Sequence, residues 1–252
     1  MESNRKYLAA ITVFIALITW AEHHSVFGQK FEVGIFGGTS YYMGDLNPEP
    51  TNQFVNSQLP ALGVFGRYNM NEHLSLRLGA NYGTVTGNDA ESEYDILDGG
   101  DIYHFETDIA EIALKFDINF LPFVAGDPNS LYTPYVFGGI SGFYFNPVAK
   151  RESGGEITEI TDDTHWHPDK DSPPSFDNIS TAINFGMGLK YHITRNITGG
   201  IEWGMRYTAT DYIDEVSMQG NPKNNDWYSF AGISFTLRFK DRSGAICPPN
   251  FL

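Results

Sequence analysis

The sequence has a single cysteine, Cys247, and no Cys or His pairs at zinc-site spacing, which excludes an internal disulfide and a structural zinc as staples of the fold. Basic residues are scarce: 16 Lys and Arg stand against 31 Asp and Glu, a formal charge of −15 that argues against a nucleic-acid binder. Charged residues of both signs reach only 19% while aromatics reach 15%, the reverse of a disordered composition. Beyond the N-terminus no uninterrupted apolar run is long enough for a transmembrane helix, so any membrane crossing must be made by strands.

The N-terminus is the exception. Arg5 and Lys6 precede an apolar run over 7–20 and then small residues, the pattern of a secretory signal peptide over 1–28. The run is too short to span a bilayer. Cleavage after Gly28 leaves Gln29 as the first mature residue, and cleavage after Ala21 is the alternative. No cysteine follows either point, so no lipid anchor is expected.

What fills the rest of the chain is alternation. Period-two segments lie near 31–44, 59–68, 74–83, 105–120, 133–145, 179–193, 197–210 and 227–239, with β-branched and aromatic residues at the apolar positions. The connections are long at 45–58, 84–104, 146–178 and 211–226, and short or moderate at 69–73, 121–132 and 194–196. The expected fold is all-β: an eight-stranded antiparallel transmembrane β-barrel over 29–239, with long extracellular loops and short periplasmic turns. Both termini would then be periplasmic, followed by a periplasmic tail over 240–252.

Parity bears on the facing. In the third segment Leu74, Leu76, Leu78, Ala80 and Tyr82 share one face, and Ser75, Arg77, Gly79 and Asn81 share the other. The fourth separates Ile112, Leu114, Phe116 and Ile118 from Glu111, Lys115 and Asp117; the sixth and seventh divide as cleanly, with Lys190, Glu202 and Arg206 on their polar faces. The fifth has no charge on either face and cannot be oriented. Periodicity alone permits a soluble barrel with the apolar face inside. The membrane arrangement is favoured by glycine-rich polar faces and by a terminal aromatic, Phe239. Tyr and Trp near strand ends (Tyr41, Tyr42, Tyr68, Tyr82, Tyr135, Tyr207, Tyr212, Trp227 and Tyr228) also resemble interfacial girdles. An Arg facing lipid at mid-bilayer costs roughly 2 to 4 kcal/mol, so charges of one parity belong inside.

The inward charges expected are Glu32, Glu111, Asp117 and Glu202 against Arg67, Arg77, Lys115, Lys190, Arg206 and Arg238, a lumen network in which Glu202 and Arg206 share one face and form a pair. Eight strands enclose an interior that side chains can fill, so a diffusion porin is not expected. The four long loops carry net charges of −2, −6, −5 and −3, making the outer face anionic. That face reads either as a solvated, repelling surface or as a site for a divalent cation or partner. Asp162, Asp163, His165 and His167 lack the spacing of a calcium loop, and His73, His104 and His192 are scattered without a serine partner. No catalytic residue, metal or cofactor is expected.

Four stretches go beyond a generic barrel. They are Tyr41-Tyr42-Met43-Gly44-Asp45-Leu46-Asn47-Pro48, Thr133-Pro134-Tyr135-Val136-Phe137-Gly138-Gly139 continuing to Phe145-Asn146-Pro147, Phe185-Gly186-Met187-Gly188-Leu189-Lys190-Tyr191, and Glu202-Trp203-Gly204-Met205-Arg206-Tyr207-Thr208 leading into Asp211-Tyr212-Ile213-Asp214. Together, in this order, they resemble the PorG-like outer-membrane barrels of the Bacteroidetes type IX secretion system. The resemblance implies a non-enzymatic component that associates in the periplasm with a ring of PorK and PorN type, in a machine that exports cargo with C-terminal signals and often supports gliding motility. Gly44, Asp45, Asn47, Pro48, Asp211, Tyr212 and Asp214 match its motifs, and the plain reading of these residues is loop and rim architecture. Cys247 would face the periplasmic assembly, as a bridge to a partner or without a role. The alternative is a surface barrel of the OmpA or OmpW kind that binds an ion, ligand or partner through its acidic loops.

Overall fold

The computed structural model describes residues 31–43, 58–88, 102–124, 130–159, 178–210, 213 and 226–238. The described residues form nine strands: β1 (Phe31–Met43), β2 (Leu59–Asn69), β3 (Leu74–Asn88), β4 (Ile102–Asn119), β5 (Tyr132–Ser153), β6 (Glu156–Glu159), β7 (Ile179–His192), β8 (Ile197–Thr208) and β9 (Trp227–Arg238). Eight of them form a closed antiparallel barrel in which each strand pairs with its chain neighbours, and β1 pairs with β9 from Glu32 opposite Arg238 to Met43 opposite Trp227. Closure leaves no barrel strand edge unpaired, the condition for strands to cross hydrocarbon. Among the described residues no helix is long and apolar enough to cross a membrane.

β6 lies outside the wall. It pairs only with the far end of β5, around a two-residue turn at Gly154 and Gly155 whose φ angles are +61° and +88°. Positive φ at both central residues is the geometry that matches hairpin twist, and glycine adopts it without steric cost. The expected 146–178 loop is therefore partly strand. β3 likewise runs five residues past Gly83, and β4 starts at Ile102, so a wall of β3, β4 and β5 rises at the long-loop end.

The chemistry of the alternation reverses along β4. Near the short-turn end Glu111, Lys115, Asp117 and Asn119 face inward and are buried, while Ile112, Leu114, Phe116 and Ile118 face outward with 40% to 66% of their surface exposed. Beyond Ala110 the inward positions become Ile109, Thr107, Phe105 and Tyr103, all fully buried, and the outward ones become Asp108 and Glu106. The parity never changes; only the solvent on each side does. The outward apolar band continues around the barrel through Ile35, Leu62, Val64, Leu78, Ile140, Ile183, Ile201 and Ile233. A belt of that extent is far larger than the apolar patches of water-soluble monomers, and it fits a bilayer.

β5 is oriented by aromatic residues. Tyr135, Phe137, Phe143 and Phe145 point inward and are buried, whereas Ile140 and Tyr144 point outward. Three members of the expected girdle are likewise lumen residues: Tyr42, Tyr135 and Tyr228 are fully or almost fully buried and share parity with inward polar neighbours. Tyr82 and Tyr207 are exposed on the outer wall. The inward glycines make room for these rings. A Cβ on Gly204 would lie 2.6 Å from the Phe137 ring, and one on Gly188 would lie 2.6 Å from the Tyr135 ring.

Candidate functional site in the barrel lumen

The alternation of β2, β3, β4, β7 and β8 delivers Arg67, Arg77, Glu111, Lys115, Lys190, Glu202 and Arg206 to the lumen, where each is at most 8% exposed. Burying charge is costly unless every carboxylate is paired and hydrogen-bonded. Asp117 is the hub of a lower tier: Arg67 Nε and Lys190 Nζ lie 3.1 and 3.2 Å from its Oδ2, and Arg77 Nη2 lies 3.2 Å from its Oδ1. Arg67 also reaches Glu32 at 3.1 Å, Asn69 donates to the same carboxylate, and Lys190 donates to Asn119 at 2.9 Å.

The two remaining carboxylates are shared between strands that are distant in the chain. Glu202 receives Arg77 Nη1 at 2.5 Å and the Tyr135 hydroxyl at 2.7 Å. Glu111 receives Arg206 at 3.1 and 3.3 Å, Asn81 Nδ2 at 2.7 Å and the Tyr228 hydroxyl at 3.0 Å. Glu202 and Arg206, expected to pair along β8, therefore do not pair with each other. The arginine fork instead turns to β4, and its Nη1 donates to the Gly204 carbonyl at 2.7 Å. Arg67 and Arg77 also stack near the Phe65 ring at 5.2 and 5.4 Å, and Arg206 lies 4.5 Å from that of Phe230. Arg238 sits at the rim, where it donates to the Arg195 carbonyl.

Above the ionic tiers an aromatic plug fills the long-loop end. Tyr42 and Phe105 meet edge to face at 4.8 Å, as do Phe143 and Tyr228 at 5.4 Å. Ile213 enters this plug from the last long loop and is fully buried; its carbonyl accepts from Thr107 Oγ1 at 2.5 Å and its N–H donates to Asp226 at 3.0 Å. The Tyr42 hydroxyl donates to the other oxygen of Asp226 at 2.6 Å. Asp226 and Ile213 escape sequence reasoning because a loop carries no periodicity. Tyr135 and Tyr228 escape it too: both were expected in the interfacial girdle, and both are buried in the lumen.

At the short-turn end the described parts of the β4–β5 connection, 120–124 and 130–131, contact the strands and turns on either side. Phe123 donates its N–H to the Glu72 carbonyl at 3.0 Å and stacks on His192 at 4.1 Å; Val124 and Pro122 are tied to Ser130. His73 lies beside the Asn119 carbonyl, and on the outer wall above the apolar belt His104 lies beside Glu152 and Lys150 beside Glu106. These histidines stay apart. Among the described residues no group of three His, Cys, Asp or Glu side chains is placed to hold a metal. Gly44, Asp45, Asn47, Pro48, Asp162, Asp163, His165, His167, Asp211, Tyr212, Asp214, Phe239 and Cys247 lie outside the described residues, as do the 1–28 segment and the 240–252 tail.

A closed barrel with an apolar outer belt and an interior occupied by ion pairs and aromatic rings is an outer-membrane β-barrel protein. The chain belongs to the family described as "Domain of unknown function (DUF6089)", whose profile matches residues 10–248. No curated protein matches it. Solved structures with some similarity include Neisserial surface protein A (12% identity, TM-score 0.46, covering 83% of this chain and 97% of that one). Others are OprG from Pseudomonas aeruginosa (10%, 0.43, 84% and 98%) and Ail of Yersinia pestis (10%, 0.41, 84% and 99%).

Proposed function

We propose that this protein is a non-enzymatic outer-membrane anchor of a type IX secretion apparatus, holding periplasmic ring proteins of PorK and PorN type at its short-turn end, with both termini in the periplasm. The observation that carries the non-conducting part of this reading is the filled lumen: ion pairs and aromatic rings occupy the interior, so the barrel serves as a fixture and not as a passage. The described parts of the β4–β5 connection, tied together through Leu121, Pro122, Val124, Ser130 and Thr133, offer a surface on the side where such a ring would dock. The assignment to type IX secretion rests on the four ordered motifs between Tyr41 and Asp214.

Deleting the gene and quantifying proteins in the medium and at the cell surface tests the proposal. Cargo with type IX C-terminal signals accumulates in the periplasm if it is correct, and complementation restores export. Unchanged export overturns it. A second reading, a surface barrel of the OmpA or OmpW kind that binds an ion or partner, is favoured by the wall of β3, β4 and β5 rising past the apolar belt with Glu106, Asp108 and Glu152 on its flank.

A further inference from the structure

The short-turn rim carries a cationic corner on one side. Arg195 is exposed in the turn between β7 and β8, where the Thr194 hydroxyl accepts from the Asn196 and Ile197 amides at 3.3 and 3.1 Å. Arg238 ends β9 beside it: its amide donates to the Asn196 carbonyl and its Nη2 to the Arg195 carbonyl, both at 2.9 Å. Neither guanidinium has a carboxylate within ion-pairing distance among the described residues. Glu32, directly across the strand pair from Arg238, is already engaged by Arg67 at 3.1 Å and by Asn69 at 3.0 Å. The flanking sequence adds Lys30 before β1 and Lys240 and Arg242 after β9, against Asp241 alone. Glu72 belongs to the β2–β3 turn, across the ring of strands.

Next to this corner the outer wall is apolar. Ile193, Ile197, Phe235 and Leu237 are 37% to 50% exposed, and Ile197 stands opposite Leu237. Arg195 is two residues from both Ile193 and Ile197, so it lies within about 7 Å of chain from the end of the belt, at the depth of lipid phosphates. An arginine there rests its stem on hydrocarbon and offers a fork of donors that matches a phosphate. Charge selects among lipids: a net anionic headgroup complements the corner, whereas a zwitterionic one brings an ammonium of its own. At the other edge of the belt the outward residues are Asp108 and Glu106, which repel the same lipid.

We propose that this corner is a docking site for one anionic phospholipid of the leaflet that meets the short turns, its phosphate taken by Arg195 with Arg238 supplying the second positive charge, and its acyl chains lying against Ile193, Ile197 and Leu237. The full barrel is released from nanodiscs of equal parts phosphatidylglycerol and phosphatidylcholine, and the lipids it retains are counted by native mass spectrometry. Retention of one phosphatidylglycerol, preferred over phosphatidylcholine by about tenfold, is the expected result. Arg195→Gln is expected to cut that preference several-fold, and Arg195→Gln with Arg238→Gln to abolish it. Because Arg195 is exposed in a turn and its side chain holds no other part of the barrel, the single variant reads the site without depending on the fold of the double one. Retention of the two lipids in equal amounts by the unmutated barrel, or a preference that Arg195→Gln leaves unchanged, overturns the proposal.

Discussion

Arg206 on β8 and Glu111 on β4 are bound to each other by two hydrogen bonds across the lumen, 95 residues apart in the chain. The pair ties opposite parts of the wall together. Breaking it from one side leaves a buried guanidinium without its counter-charge. Glu111→Ala is expected to cost about 3 to 5 kcal/mol of unfolding free energy. The double variant Glu111→Leu with Arg206→Met is expected to recover most of that loss, since it leaves no stranded charge. Urea titration of the refolded barrel, read by heat modifiability on gels, checks both.

The reversal along β4 places the edge of the hydrocarbon between Ile112 and Asp108. Leu114→Arg is therefore expected to destabilise folding in vesicles by roughly 2 to 4 kcal/mol, and Asp108→Arg by no more than about 1 kcal/mol. Equal costs at the two positions would place the belt elsewhere.

Asp226 holds Tyr42 with one carboxylate oxygen and the Ile213 N–H with the other. Asp226→Ala removes the acceptor that both donors share, at a cost of about 1 to 3 kcal/mol each before the loop relaxes. The sharper readout is hydrogen exchange: the Ile213 amide is expected to lose protection while the amides of β3 and β4 keep theirs.

Two glycines on facing strands separate packing from backbone entropy. A methyl on Gly188 meets the Ile201 carbonyl oxygen at 2.5 Å and the Tyr135 ring at 2.6 Å, whereas one on the outward Gly142 meets nothing within 4 Å. Gly188→Ala is expected to cost about 1 to 3 kcal/mol by overpacking. Gly142→Ala is expected to be neutral or to stabilise by up to about 1 kcal/mol, by restricting the unfolded chain. Thermal midpoints of the two variants decide it.

The facing of β3, β4, β7 and β8 was legible because each puts two or more charged or polar residues at one parity, and a charge reports its side directly. β5 was opaque because its inward residues are Tyr135, Phe137, Phe143 and Phe145, which are as apolar as lipid-facing ones. The clue lay on other strands, in Gly186, Gly188 and Gly204, whose missing side chains leave the space these rings occupy. Strand ends at the long-loop side were misjudged for a related reason: Tyr103 and Phe105 alternate with His104 and Glu106, and in that region apolar means inside. Which carboxylate meets which arginine depends on the stagger of the whole barrel, so Glu202 was assigned to its neighbour Arg206 when Arg77 takes it.

The crossover at Ala110 also has a mechanical meaning. Residues along a strand are about 3.4 Å apart, so sliding β4 by two positions toward its short-turn end would push Asp108 into hydrocarbon and by four would take Glu106 with it. Moving the other way would lift Ile112 into water. The barrel thus sits in its bilayer like a flanged rivet: a pull from the short-turn side meets rising electrostatic resistance within one strand repeat, and the load passes into the membrane instead of drawing the protein through it.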